Sequence, residues 1–282
     1  MKFIATDIED CPAKLDLNVV SQLEKPGIAM ASYFYRSHLT YERELDRLFF
    51  KSWLYAGHSS QIPSEGDFFL YEIGEDSIII SRDAQGDIHA LMNICRHRGA
   101  RVCAESSGHK KFYVCPYHGW AFNLDGTLRA ARHMKRKAGF NPHDYGLKRM
   151  RLIQYEGLIF INCDPEAPDF LPALDSIATT LKPYDLSSAR VAHRQIYQVD
   201  ANWKLALENY LECYHCATSH RAYAKLHTLH TLQDLDERVA DLNQAMWDRS
   251  EAQTGIKGIS AETYESYSHE KVFGTSVYSN RY

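Results

Sequence analysis

Long apolar runs are missing from this 282-residue sequence. Stretches such as Leu158-Ile159-Phe160-Ile161 are far shorter than the roughly 20 residues a membrane-spanning helix needs, so no membrane partner is expected. The opening Met1-Lys2-Phe3-Ile4-Ala5 starts like a secretion signal, but Asp7, Glu9 and Asp10 interrupt it before an apolar region develops. A soluble cytoplasmic protein is the expectation. A surplus of positive charge is missing too. With 32 basic against 36 acidic side chains the net charge is −4, which leaves no footprint for a polyanion and argues against nucleic acid as a partner. Internal repeats and biased segments are absent, which removes solenoids and low-complexity chains from consideration. No Gly-rich fingerprint opens a strand–turn–helix unit, so the chain is not expected to take electrons from a nicotinamide itself. Cysteines, seven in number at 11, 95, 103, 115, 163, 213 and 216, are odd in count and too sparse for a disulfide scaffold. Metal binding is the better first reading of them.

What is present suits a folded protein of one large domain or two ordinary ones, with 45% hydrophobic and 24% charged residues. Residues 41–53 place Leu45, Leu48 and Phe49 at helical spacing opposite a charged face, which predicts an amphipathic helix. From residue 67 the pattern turns to β-rich segments, Asp67–Ile73, Ser77–Arg82 and Ile88–Asn93, parted by turn residues, as in a small antiparallel unit. Gly157–Asn162 reads as another strand. It runs into Asp164–Pro172, where three prolines in eight residues forbid regular structure and suggest a domain junction. Arg190–Val199 is expected as a strand, with helices from about Asn202 and over Asp236–Arg249.

The chemistry concentrates between Cys95 and His118. There the sequence reads Cys95-Arg-His97, seventeen residues, then Cys115-Pro-Tyr-His118. Two tight loops facing each other would present two thiolates and two imidazoles. A Rieske [2Fe-2S] centre uses that set, two cysteines on one iron and two histidines on the other. Ligand types and count fit a tetrahedral Cys2His2 zinc site as well, although two mixed halves lying among strands favour iron–sulfur. Asn93-Ile-Cys95-Arg-His97-Arg-Gly99 and Cys115-Pro-Tyr-His118-Gly-Trp120 resemble the cluster loops of bacterial Rieske non-haem iron oxygenases. Respiratory Rieske proteins carry an extra cysteine in each loop, and the second loop here has none. By the same resemblance Trp120 would pack over the cluster, though an ordinary core tryptophan is an equal reading.

Further on, Glu212-Cys-Tyr-His215-Cys-Ala-Thr-Ser-His220 is similar to the mononuclear iron segment of that family. The resemblance assigns His215 and His220 as ligands of a mononuclear Fe(II) and Glu212 as the acid that links a cluster histidine of a neighbouring subunit to His215. Two histidines and one carboxylate leave iron positions open for dioxygen and substrate. Taken without the resemblance, two histidines five apart are common, and Cys213-x-x-Cys216 is equally a redox or zinc half-site. Five residues at about 100° each put His220 roughly 140° from His215 on a straight helix, so a break or widening is expected between Cys216 and Ser219.

In the family the third iron ligand lies on a helix far downstream, whereas 62 residues follow His220 here. The expectation is an incomplete chain, with Asp234, Asp236, Asp241 and Asp248 on a solvated helix face and His227 and His230 as ordinary polar residues. The resemblance further implies an α+β fold. A helical segment 1–47 belongs with the catalytic domain, an all-β Rieske domain occupies 48–160, and an incomplete helix-and-antiparallel-sheet catalytic domain occupies 161–282. It implies an oxygenase taking dioxygen and a small organic substrate, a separate NAD(P)H-dependent flavin/iron–sulfur reductase, and a homotrimer. Glu212, Arg132-His133-Met134 and Asn141–Leu147 resemble the branch acting on quaternary ammonium compounds by N-demethylation or hydroxylation, for which Tyr264, Tyr267, Tyr278 and Tyr282 would supply a cation-binding cage. The alternatives are an aromatic-ring-hydroxylating dioxygenase of aromatic hydrocarbon catabolism, a Rieske electron carrier, and a zinc-stabilised binding module. The basic stretch Arg129–Arg151 is either a docking face for a ferredoxin-type domain or a solvated loop.

Overall fold

The computed structural model describes residues 8–25, 29–134, 138–211, 215, 219–220, 265–271 and 274–280. They fall into two compact units, Arg43–Ile196 and the pairing of Met1–Glu42 with Tyr197–Tyr282. Among the described residues no helix is long and apolar enough to cross a membrane.

The unit 43–196 is built on antiparallel sheets. Strands β2 (Asp67–Ile73), β3 (Asp76–Arg82), β4 (Ile88–Met92) and β5 (Ser107–His109) form a sheet in the order β4-β3-β2-β5. Side chains on a strand point alternately to opposite faces. In β3 the alternation sends Ile79 into one core with Phe68, Leu70 and Leu91, and sends Ile78 and Ile80 into a second core with Ile62, Phe69, Ile73 and Ala90. Both faces are therefore buried, and all three isoleucines are 0% exposed. This is why the strand reads as a continuous apolar run.

Strand β1 (Leu54–His58) pairs with β10 (Leu158–Asn162), which pairs with β9 (Arg151–Tyr155), and this sheet contributes Ile159 and Ile161 to the second core. The β9–β10 hairpin turns at Glu156 (φ 47°) and Gly157 (φ 81°), the left-handed pair that a two-residue hairpin favours. A Cβ at Gly157 would collide with the His58 imidazole, which is 2.9 Å from the Leu186 carbonyl. Short strands β6 (Tyr113–Val114), β7 (Ala121–Phe122) and β8 (Leu128–Ala130) form a third sheet over the first core. Residues 45–49 wind as one π-helical turn, so the helix expected over 41–53 changes pitch within its apolar stripe. Arg190–Val199 is not a strand but irregular and exposed backbone, with Ile196, Tyr197 and Val199 between 65% and 81% exposed. Its β-branched residues carry strand propensity, but no partner strand lies beside them among the described residues.

In the other unit, α1 (Pro12–Leu23), α2 (Ser32–Arg36) and the start of α3 (His38–Glu44) join α4 (Trp203–Leu211) and the backbone hairpin β11 (Glu265–Lys271) with β12 (Gly274–Asn280). Asn202 caps α4, accepting a hydrogen bond from the Lys204 N–H at 3.1 Å. The helix expected over 236–249 lies outside the described residues.

Candidate metal centres

Two loops project from the first core, and their main chains are built alike. In the first, the Cys95 N–H donates to the Ala100 carbonyl (2.8 Å) and the Gly99 N–H to the Cys95 carbonyl (2.9 Å). In the second, the Cys115 N–H donates to the Trp120 carbonyl (2.8 Å) and the Gly119 N–H to the Cys115 carbonyl (3.0 Å). Each loop closes through a glycine four residues after its cysteine, Gly99 at φ 76° and Gly119 at φ 69°, which only glycine adopts without strain. That shared Cys-x-x-x-Gly spacing was readable in the sequence, beneath histidines that stand at different offsets.

The loops divide their donors. Cys95 and Cys115 are 3% and 2% exposed, members of the apolar core, whereas His97 and His118 are exposed. The two imidazoles meet edge to face with centroids 4.6 Å apart. Burial pushes the Cys95 thiol up; the N–H groups of His97 and Arg98, aimed at its sulfur, oppose that rise, and the neighbouring Cys115 thiol reinforces it. A thiolate on a cationic iron centre relieves that cost, and the main-chain donors suit a negatively charged sulfur. Among the described residues no three of His, Cys, Asp and Glu converge on one ion position. The donor set thus fits a cluster with a buried sulfur end and an exposed imidazole end.

Residues other than these four candidate donors hold the loops. Asn93, 1% exposed, accepts from the Val102 and Cys103 N–H groups (3.1 and 2.8 Å) and donates to Ser77 Oγ (2.9 Å) and the Cys103 carbonyl (2.7 Å). In the sequence Asn93 stands out only as part of a motif. Trp120, 2% exposed, stacks on His97 and takes the edges of Phe140 and Tyr145. The imidazole edge opens into a cavity of about 620 Å³ that Arg132 and His133 also line.

In the second unit the imidazoles of His215 and His220 lie 5.3 Å apart between centroids, at 74°. The Ser219 N–H donates to the His215 carbonyl at 2.9 Å. Glu212, Cys213 and Cys216 lie outside the described residues, as do His227, His230, Asp234, Asp236, Asp241, Asp248, Tyr264 and Tyr282, and most of the segment where the helix was expected to break. One turn before Glu212, Glu208 receives the Tyr35 hydroxyl on both carboxylate oxygens, at 2.7 and 3.0 Å. Desolvation, reinforced by that carboxylate, pushes the Tyr35 hydroxyl up to about 12.

The geometry agrees with what the chain is similar to. Residues 52–153 match the Rieske [2Fe-2S] domain, and residues 186–273 match the catalytic domain of the ring hydroxylating alpha subunit. The chain belongs to the Rieske oxygenase family. A glycine betaine monooxygenase oxygenase subunit of Pseudomonas aeruginosa is 40% identical over 190 residues, 66% of this chain and 43% of that one. The alpha subunit of biphenyl 2,3-dioxygenase from Rhodococcus jostii is 33% identical over 218 residues, 74% of this chain and 46% of that one. Among solved structures, the quaternary ammonium Rieske monooxygenase CntA in complex with L-carnitine superposes with a TM-score of 0.63 at 31% identity, covering 71% of this chain and 56% of that one. The chain spans about half the length of the Rieske oxygenases it matches.

Proposed function

We propose that this chain is an oxygenase component in which Cys95, His97, Cys115 and His118 hold a [2Fe-2S] cluster and His215 and His220 hold a mononuclear Fe(II). The observation that carries the reading is the approach of the His215 and His220 rings to 5.3 Å, in a chain that also has the paired cluster loops. An electron carrier needs only the loops. Two imidazoles from one short segment leave iron positions for a carboxylate, dioxygen and substrate. When bound, the two groups supply stored electrons and dioxygen activation. The protein's own part is positional: Cys95 and Cys115 keep anionic sulfur in the dry core, and His97 and His118 present their imidazoles outward. In this proposal Glu212 is the acid that links a cluster histidine of a neighbouring subunit to His215, which requires an oligomer, a trimer on this reading. Electrons come from a separate NAD(P)H-dependent reductase.

The substrate class proposed is a small quaternary ammonium compound. Glu212 and the 132–134 and 141–147 segments support it, as do the similar glycine betaine and carnitine enzymes. Tyr267 and Tyr278 are register partners across β11–β12. Hydroxylating an N-methyl carbon gives N–CH2OH, which releases formaldehyde and leaves a tertiary amine; the second oxygen atom leaves as water with two electrons and two protons. Ring dihydroxylation is the second reading, favoured by the similarity to the biphenyl enzyme.

The test uses the full chain loaded with iron and sulfide, a reductase, and glycine betaine, carnitine or biphenyl. Formaldehyde in step with oxygen uptake supports N-demethylation, and a cis-diol from biphenyl supports the second reading. His215→Ala should abolish product while the reddish-brown colour and anisotropic EPR signal of the reduced cluster persist. Full function in His215→Ala would leave only the carrier.

A further inference from the structure

The cluster loops are flanked by two separate concave faces. The cavity at the imidazole edge contains His97 and His118. On the other flank lie two hollows of about 360 and 450 Å³ that share Arg96 and Lys148 and have no residue in common with the first cavity. The smaller is floored by Met92, Ile94 and Cys95. The larger extends past His143 to Arg149, with Asp144 as the carboxylate in its lining. Arg149 is held by Asp125 at 3.1 Å, but neither Arg96 nor Lys148 has a carboxylate partner among the described residues, and both are exposed. In a chain of net charge −4 this is a local reversal of sign, set around an apolar floor that reaches the Cys95 loop.

We propose that this groove is the docking site of an acidic one-electron donor, a protein carrying an iron–sulfur centre. Electrons then enter the cluster past Cys95 and Arg96, on a face distinct from the imidazole edge. The inference rests on the oxygenase reading above. Transient redox encounters bury little area and depend on complementary charge around a small apolar contact, which is the composition found here. The floor brings the donor beside a cluster ligand while Arg96 and Lys148 orient it. One electron leaves the donor's reduced iron–sulfur centre and enters the cluster; the donor is oxidised, the cluster is reduced, and no bond is made or broken.

The experiment uses the full-length holoprotein and, as probe, an acidic plant-type [2Fe-2S] ferredoxin. Binding of the oxidised probe is measured by titration calorimetry, and anaerobic cluster reduction by the reduced probe is measured by stopped flow, both from low to high salt. Dithionite, a small reductant that needs no docking face, reports whether the cluster is intact. Lys148→Glu and Arg96→Gln should each weaken binding and slow reduction by the probe by about tenfold at low salt, converging on wild type at high salt, while dithionite reduction stays unchanged. Arg132→Gln, at the imidazole edge, should leave probe binding as it is. Wild-type binding and rates in both groove variants would overturn the proposal, as would a larger loss in Arg132→Gln. A change of oligomeric state in Lys148→Glu would overturn it in favour of a subunit contact. Absence of a dithionite-reducible cluster in the wild type would instead sink the oxygenase reading itself.

Discussion

The Trp120 indole lies nearly parallel to the His97 imidazole, centroids 4.9 Å apart and planes at 12°, so a side chain of the second loop braces a histidine of the first. Trp120 is also core, at 2% exposure. The indole is thus both a core side chain and the packing surface under His97. Trp120→Ala should cost about 3–5 kcal/mol in urea denaturation, as emptied aromatic core sites do. Trp120→Phe should cost less and keep more iron per chain, because a ring still covers His97.

Asn93 ties the strand that ends at Met92 to the segment leaving the first loop. Asn93→Ala strips partners from the Val102 and Cys103 N–H groups and the Cys103 carbonyl, each in a buried setting. Every such orphan costs about 1–3 kcal/mol. The expected outcome is a lower denaturation midpoint together with cluster loss on gel filtration. Retention of full iron and sulfide would show that the first loop holds without this side chain.

Gly99 and Gly119 form a matched pair for mutation. A Cβ at either meets nothing within 4 Å, so an alanine there costs only the left-handed backbone, about 1–2 kcal/mol. The two alanine variants should shift the denaturation midpoint equally. Gly157→Ala adds a collision with His58 to the same backbone cost and should be worse than either. Asparagine at 99 or 119 should be tolerated better than valine.

Cys103 is predicted to be chemically quiet. Burial, with the Glu105 carboxylate 3.2 Å away, pushes its thiol up to about 11. At pH 8 almost none is thiolate, so iodoacetamide should spare Cys103 in the folded protein and label it in urea. The folded value lies above that of the unfolded chain, so the folded state holds this proton more tightly. Its contribution to stability is full below about pH 9 and is lost as pH rises toward 11. Cys103→Ser should flatten that alkaline limb of the stability profile.

How far the sequence reaches depends on what each residue contributes. The two facing loops at 95–99 and 115–119 were legible because few chemistries use two mixed Cys/His pairs, and the strand 67–73 was legible because turn residues bound an apolar run. Asn93 was not, since a buried asparagine that joins two segments has no local pattern; its partners lie 9 to 16 residues away. The π-turn at 45–49 was missed because the stripe of Leu45, Leu48 and Phe49 satisfies either helical pitch. The strand expected over 190–199 failed for the opposite reason: propensity was present, and no pairing partner lies beside it among the described residues. The bond of Glu208 to Tyr35 was not legible either, because it joins residues 173 apart in the chain.

The two cluster loops keep one backbone while carrying different residues between cysteine and glycine, Arg-His-Arg in one and Pro-Tyr-His in the other. The frame is fixed at its ends, so the imidazole occupies the second place of one turn and the third place of the other without disturbing either. Ligand position is in this sense a setting, separable from the architecture that holds it. Moving a histidine by one place within a loop, or exchanging it for another donor, becomes a way to retune the centre while the strands beneath stay as they are.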